Sequence, residues 1–309
     1  MSIENAFFLK NSSNSFPIVI ITGTCRSGKT LLGNLLATCK QIEYADEPYF
    51  PMMLSITAKS GKIDSEFAMG LLNASLSELF NNLLLLRAAN FRPGDLSTIW
   101  DKKSPEEILN RLINLKTREE AMNYAKQNKA QLIVTLAEAT PFLDFIIKAL
   151  PKATVIHVIR NPFQVAAEIA LKKWFSNAQL LNPLNAQPYL IFQDSSNTWY
   201  MPWWVYDHEY EYFLNLSDYD RGLYYWWVLM DTGMKAFNLL NCQKLIVYYQ
   251  DLVANSLQTF KKISNLLGLD PGKLTDIKLK TIENRPFPML EKKIDPIILE
   301  RVTLIQEMI

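Results

Sequence analysis

The chain has 309 residues, 49% of them apolar, enough to bury the core of one large domain, and this composition argues against disorder. Its 32 Lys and Arg balance 31 Asp and Glu to a net +1, so composition forces no basic surface of the kind that grips nucleic acid. The three cysteines, Cys25, Cys39 and Cys242, are scattered without C-x-x-C spacing, which argues against a disulfide framework and for a reducing cytoplasm. Met1–Phe16 has no basic start followed by a long apolar core, and no apolar run approaches the roughly 18 residues of a membrane span. The expectation is a soluble, unprocessed cytoplasmic protein with neither nucleic acid nor membrane as partner.

In chain order, the first element is an apolar run over Pro17–Thr22 that predicts a buried strand, followed by a helix over Thr30–Cys39. Between them lies Gly23-Thr-Cys-Arg-Ser-Gly-Lys-Thr, which satisfies G-x-x-x-x-G-K-[ST] with Lys29 and Thr30 in the last two places. A helix start leaves backbone N–H groups unpaired and carries partial positive charge, so a glycine loop bent onto it is an anion cradle. Helices are predicted next at Ser65–Arg87 and Pro105–Asn128, a strand at Gln131–Leu136, a helix at Pro141–Leu150 and a strand at Thr154–Ile159. Helices over Pro162–Trp174 and Gly222–Leu240, a strand at Lys244–Tyr249 and a helix at Ser256–Leu267 complete the pattern.

Four β-branched strands separated by helices predict an α/β fold: a three-layer arrangement around a central parallel sheet. A single domain over residues 1–309 is expected, with insertions near residues 92–130 and 176–220. The second insertion is rich in aromatic and acidic residues: Trp199, Trp203, Trp204, Tyr206, Tyr210, Tyr212 and Phe213 alternate with Asp207, Glu209 and Glu211. Aromatic faces beside carboxylates suit a small cation, so Trp203, Trp204, Tyr206, Asp207 and Glu209 are the candidate binding residues for a guanidinium or ammonium compound; a satellite core under a lid is the competing reading. His157 alternates along a buried strand and reads as a core histidine, and His208 as a polar lid residue.

The strand ending at Ile159 delivers Arg160 to the carboxyl edge of the sheet, where open α/β sheets bind ligands, so Arg160 is placed to fork onto a second phosphate of a ligand held by the Gly23 loop. Here the chain resembles the sulfotransferases that use 3′-phosphoadenosine 5′-phosphosulfate (PAPS). Gly23-Thr-Cys-Arg-Ser-Gly-Lys-Thr-Leu-Leu is similar to their G-x-P-R-S-G-T-T-L-L loop, and Leu150-Pro-Lys-Ala-Thr-Val-Ile-His-Val-Ile-Arg-Asn-Pro-Phe-Gln-Val to F-P-x-A-x-x-I-x-x-x-R-[DN]-P-x-x-V. Tyr249-Gln-Asp-Leu matches Y-E-D-L, and the helix ending Leu266-Leu-Gly-Leu resembles the closing F-L-G-L segment.

The resemblance implies PAPS as donor, adenosine 3′,5′-bisphosphate (PAP) as product, a small-molecule acceptor and a phosphosulfate loop made by Thr24, Cys25, Arg26, Ser27, Gly28, Lys29, Thr30 and Leu31, with Arg160 on the nucleotide. Arg26 stands at the family's loop cation, and Lys29 adds a second where threonine is usual. Sulfuryl transfer is then a matter of position and charge, and because the moving group carries less charge than phosphoryl no metal is expected. Glu47, which lies at the place of the catalytic glutamate in members resembling protein-tyrosine sulfotransferases, is the candidate base, with Asp46 its neighbour and competitor. Bacterial enzymes that tailor alkaloid natural products, including guanidinium toxins, are a similar class on the acceptor side.

Two positions depart from the family. Glu168 stands where a serine usually contacts the 3′-phosphate, so it points away, or Lys172, Lys173 or another donor compensates, or the nucleotide differs. The D-K-[ST]-P motif has two imperfect matches, Asp101-Lys-Lys-Ser-Pro and Glu138-Ala-Thr-Pro; Lys29, or Lys102 or Lys103 reaching in, would supply the missing charge. A magnesium-dependent P-loop kinase and a silent nucleotide-binding protein on the same fold are the alternative readings.

Overall fold

The computed structural model describes residues 16–184, 189–283 and 293–309. The N-terminal stretch read above for a leader lies outside them apart from Phe16, as do residues 185–188 of the second insertion. The strands are β1 (Ile18–Gly23), β2 (Ile42–Ala45), β3 (Gln131–Ala137), β4 (Thr154–Ile159), β5 (Tyr189–Gln193), β6 (Thr198–Pro202) and β7 (Lys244–Tyr248). Five of them form one all-parallel sheet in the order β2-β3-β1-β4-β7, and β5 and β6 pair as an antiparallel hairpin.

Alternation along β1 sorts the core into two faces. Ile18 and Ile20 pack with Leu132, Val134 and Phe80 on one side, while Val19 and Ile21 pack with Ile133, Ile156, Leu32 and Phe260 on the other. A third cluster gathers Trp204, Phe213, Tyr224, Tyr225 and Trp226 with Val165 and Val302, joining the hairpin side to the helices Pro162–Lys172, Asp218–Leu239 and Pro296–Met308. Among the described residues no helix is long and apolar enough to cross a membrane.

The helices Phe50–Lys59 and Pro296–Met308 and the hairpin of β5 and β6 go beyond the sequence reading, and three further details differ from it. β2 was not anticipated, because its four residues carry Glu43 in the middle; that carboxylate is buried and paired at 3.0 Å with Arg111, itself buried on the helix Pro105–Asn114. The helix predicted over Pro105–Asn128 is two, Pro105–Asn114 and Arg118–Gln127, since Thr117 and Glu120 form a capping box that starts the second. The helix expected at Gly222 begins a turn earlier at Asp218, capped by Ser217.

β1 occupies the point where the order reverses, with β3 and β2 on one flank and β4 and β7 on the other. A crevice opens at the carboxyl ends at such a point. His157, on β4, is fully buried with neither ring nitrogen hydrogen-bonded among the described residues; desolvation, helped by the Lys29 charge, lowers its pKa to about 3 and keeps it neutral, as expected of a core histidine.

Candidate active site

The loop after β1 is held open by close packing. Gly23 has φ +147°, and a Cβ there would lie 2.3 Å from the Val158 carbonyl oxygen of β4; Gly28 caps the helix Lys29–Leu36 at φ +99° with its face against the Tyr249 ring. No side chain caps this helix, and the backbone N–H groups of Lys29, Thr30 and Leu31 have no acceptor among the described residues. The Ser27 hydroxyl is likewise buried without a partner. Unpaired donors around a concave turn are what an anionic oxygen cluster would satisfy.

Cations surround this cradle. Lys29 is almost wholly buried, with Nζ donating to the Thr24 carbonyl at 2.7 Å and lying 3.8 Å from Glu47 Oε1. Arg160 leaves β4, donates Nη1 to the Arg26 carbonyl at 2.9 Å, hydrogen-bonds Gln164 through Nε at 3.1 Å and stacks 4.3 Å over the Tyr249 ring. Its own carbonyl accepts from the buried Trp226 indole at 3.1 Å, fixing the chain where the strand ends. Arg26 adopts φ +59° and turns its guanidinium toward the helix that follows β4.

Two carboxylates close the other side. Glu47 and Glu138 also sit at positive φ, +45° and +62°, so three non-glycine residues around one crevice hold a conformation that costs about 1 kcal/mol or more each. The Glu47 amide donates to Thr135 Oγ1 at 3.0 Å, which aims its side chain past Lys29. Asp46 is committed elsewhere: it accepts from Tyr44 and Thr135, each at 2.7 Å, and from Thr30 at 3.4 Å. Glu138 follows β3; burial raises its affinity for a proton, opposed by Tyr225, Lys29 and Trp203. Cys25 donates its backbone N–H to the Tyr225 hydroxyl at 2.7 Å, and burial pushes its thiol up to about 12, which disfavours the thiolate.

A cavity of about 660 Å³ begins at these carboxylates. Cys25, Glu47, Tyr49, Glu138, Tyr200 and Trp203 are among its walls, and Trp204 and Lys172 also reach it. Cradle and cavity thus meet at Cys25, a residue of the loop, and at Glu47, which lies beside the Lys29 ammonium.

The sequence model described as the sulfotransferase family matches residues 17–272. The chain belongs to the sulfotransferase family. Among solved structures, the sulfotransferase domain of the Synechococcus PCC 7002 olefin synthase is 13% identical, with TM-score 0.51 over 97% of this chain and 98% of that one. The sulfotransferase domain of the curacin biosynthetic pathway is 12% identical, with TM-score 0.49 over 94% and 98%. The STF1 sulfotransferase of Mycobacterium tuberculosis H37Rv is 13% identical, with TM-score 0.44 over 94% and 75%. The likeness to the olefin synthase domain shows the fold alone, and none of the curated proteins matches the chain.

Against the sulfotransferase pattern, the structure brings Thr24–Leu31, Arg160 and Glu47 to one crevice and Trp203 and Trp204 to the adjoining cavity. It does not bring Tyr206, Asp207 and Glu209 there. Glu209 is held by Arg301 at 2.6 Å and by the Tyr224 hydroxyl at 2.7 Å, Asp207 accepts from Tyr210 at 3.1 Å, and Tyr206 stacks on His208. The acids of that stretch serve internal pairs, which the alternation of residue types could not reveal because Arg301 lies 92 positions later.

Nor do Lys102 and Lys103 reach in. Lys103 donates to the Cys39 carbonyl at 2.8 Å, and Lys102 donates to Ser97 at 2.7 Å beside a separate cavity of about 290 Å³; desolvation lowers the Lys102 pKa to about 8. Ala139 carries no donor, and it is the Lys29 ammonium of this sulfotransferase that lies between Glu47 and the Thr24 carbonyl of the loop. Glu168 does not point away: its carboxylate takes Arg26 Nη2 at 2.6 Å and lies 3.8 Å from Arg160 Nη1. The sequence holds no signal for Tyr225, while Tyr249 and Glu138 stand in the Tyr249-Gln-Asp-Leu and Glu138-Ala-Thr-Pro motifs, which do not disclose their places against Arg160 and on the cavity wall.

Proposed function

We propose that this sulfotransferase moves a sulfuryl group from PAPS to a hydroxyl or amine of a small acceptor by in-line displacement, leaving PAP. The observation that carries the reading is the unpaired cradle at the start of the helix Lys29–Leu36 with Arg160 at the neighbouring strand end, two anion positions on adjacent carboxyl edges. The orphaned Ser27 hydroxyl and the free N–H groups fit the 5′-phosphosulfate; Arg26, expected from the sequence to meet the sulfuryl charge, turns instead to Glu168 beside Arg160, and the two arginines fit the 3′-phosphate. Lys29 neutralises charge that grows on the equatorial oxygens and on the leaving phosphate.

Glu47 is the proposed base. Lying beside the Lys29 ammonium and on the cavity wall, it takes the acceptor proton as the new bond to sulfur forms. Aromatic walls with the Glu47 and Glu138 carboxylates favour an acceptor bearing a guanidinium or ammonium group, as in tailoring of alkaloid natural products. The reducing cytoplasm expected from the three cysteines, all unpaired, belongs to the same reading.

A second reading, a magnesium-dependent kinase, draws on the contact between Thr30 and Asp46. It is weakened because Asp46 already serves Tyr44 and Thr135. Thermal unfolding separates the two. Saturating PAP without divalent ion should stabilise the protein by about 3 kcal/mol at a hundredfold excess over its dissociation constant, and ATP with magnesium should add far less. The reverse order would establish the kinase reading.

A further inference from the structure

The two arginines placed for the second phosphate are already engaged by a carboxylate of the chain itself. Arg26 donates Nε and Nη2 to Glu168 Oε2 at 3.1 and 2.6 Å, while Glu168 Oε1 lies 3.8 Å from Arg160 Nη1, so the two oxygens of one side chain span both cations. Glu168 sits on the helix Pro162–Lys172, whose Asn161 cap and Pro162 start it directly after Arg160; the arginine and the acid are eight positions, about two turns, apart and on the same side. Resting on the reading above, we propose that Glu168 is a built-in competitor for the second phosphate of the nucleotide, setting how tightly the sulfotransferase holds its donor and how readily it releases PAP.

Three observations support this role. The pair is not locked in a core: the Arg26 side chain is 40% exposed and that of Glu168 27%, and ion pairs so placed contribute little to stability, so an incoming anion can take them apart. Arg160 has partners besides Glu168, the Arg26 carbonyl, Gln164 and the Tyr249 ring, and these are the contacts that would hold its guanidinium when the carboxylate swings out. Finally, Glu168 meets the loop through the Arg26 guanidinium; among the described residues its carboxylate makes no contact with Ser27 or with the unpaired N–H groups of Lys29, Thr30 and Leu31, and the Lys29 ammonium faces Thr24 and Glu47. Competition therefore falls on the second phosphate and spares the 5′ group. A nucleotide that keeps both phosphates after transfer is helped to leave by the same carboxylate, which matters wherever release limits turnover.

The test compares two probes, PAP and adenosine 5′-phosphate, by isothermal titration calorimetry on wild type, Glu168→Gln and Glu168→Ser, each first shown to be folded by circular dichroism. Both variants should bind PAP at least tenfold more tightly than wild type, with adenosine 5′-phosphate changed less than threefold. Unchanged or weaker PAP binding in the two variants would overturn the proposal, as would equal tightening toward both nucleotides, which marks a general charge effect. If no form of the folded protein binds either nucleotide, the donor reading fails and takes this proposal with it; PAP binding that ignores residue 168 removes the proposal and leaves the donor reading standing.

Discussion

Glu47→Gln should lower the rate of sulfuryl transfer by two to four orders of magnitude while leaving the affinity for PAP within about threefold of wild type. The glutamine keeps the shape and the backbone contact to Thr135 Oγ1, so the loop and its positive φ survive, but it cannot accept the acceptor proton. Its place explains why the effect should be confined to the chemical step. Glu47 lies on the cavity wall and 3.8 Å from Lys29 Nζ, whereas Arg26 and Arg160 contact other groups. The measurement is single-turnover transfer of labelled sulfuryl, at saturating donor, to an acceptor that wild type modifies. Full transfer by this variant would remove Glu47 from the role and direct attention to Glu138, the other carboxylate on the same wall.

Gly23→Ala should be the most damaging small substitution at the site, destabilising the fold by on the order of 3 kcal/mol. Two costs coincide. A φ of +147° is one that residues with a Cβ rarely adopt, and the added methyl would meet the Val158 carbonyl oxygen at 2.3 Å and Ser27 Oγ at 3.0 Å. Backbone of β4 cannot yield without opening its pairing with β1, whose register runs Val19 to Thr154 through Thr22 to His157. Equilibrium urea denaturation should show a lowered midpoint at unchanged slope, and PAP binding should weaken as the cradle shifts. A midpoint equal to wild type would mean the loop has slack that the close approach denies.

What the sequence disclosed depended on how locally each feature is determined. The anion loop, its two glycines and the strand before it lie within a dozen residues, and local pattern sufficed to place them. β1, β3 and β4 are equally visible, since a parallel sheet covered on both faces makes each strand a mostly apolar run, and the half-buried edge strand β7 keeps Leu245-Ile-Val. β2 escaped because Glu43 interrupts it, and only the distant Arg111 makes that acid tolerable in the interior. The start of the helix Arg118–Gln127 was written in Thr117 and Glu120 and was overlooked.

On the acceptor side the sequence was a poorer guide. Trp203 faces the cavity and Trp204 touches it from the aromatic core, but Glu209 is taken by Tyr224 and by Arg301 of the helix Pro296–Met308, and the exposed Asp207 by Tyr210. The same limit applied to Glu168. Reading it as a carboxylate that would repel a phosphate was sound electrostatics, but only the fold shows it lying across Arg26 and Arg160.

The central claim is that one nucleotide with two phosphates spans the two strand ends. The crystal structure of the protein with PAP tests it most directly. The account predicts the 5′-phosphate on the backbone N–H groups of Lys29 and Thr30, the second phosphate against Arg26 and Arg160, and Glu168 turned aside. A nucleotide whose second phosphate lies in solvent while Glu168 still spans both arginines would contradict it.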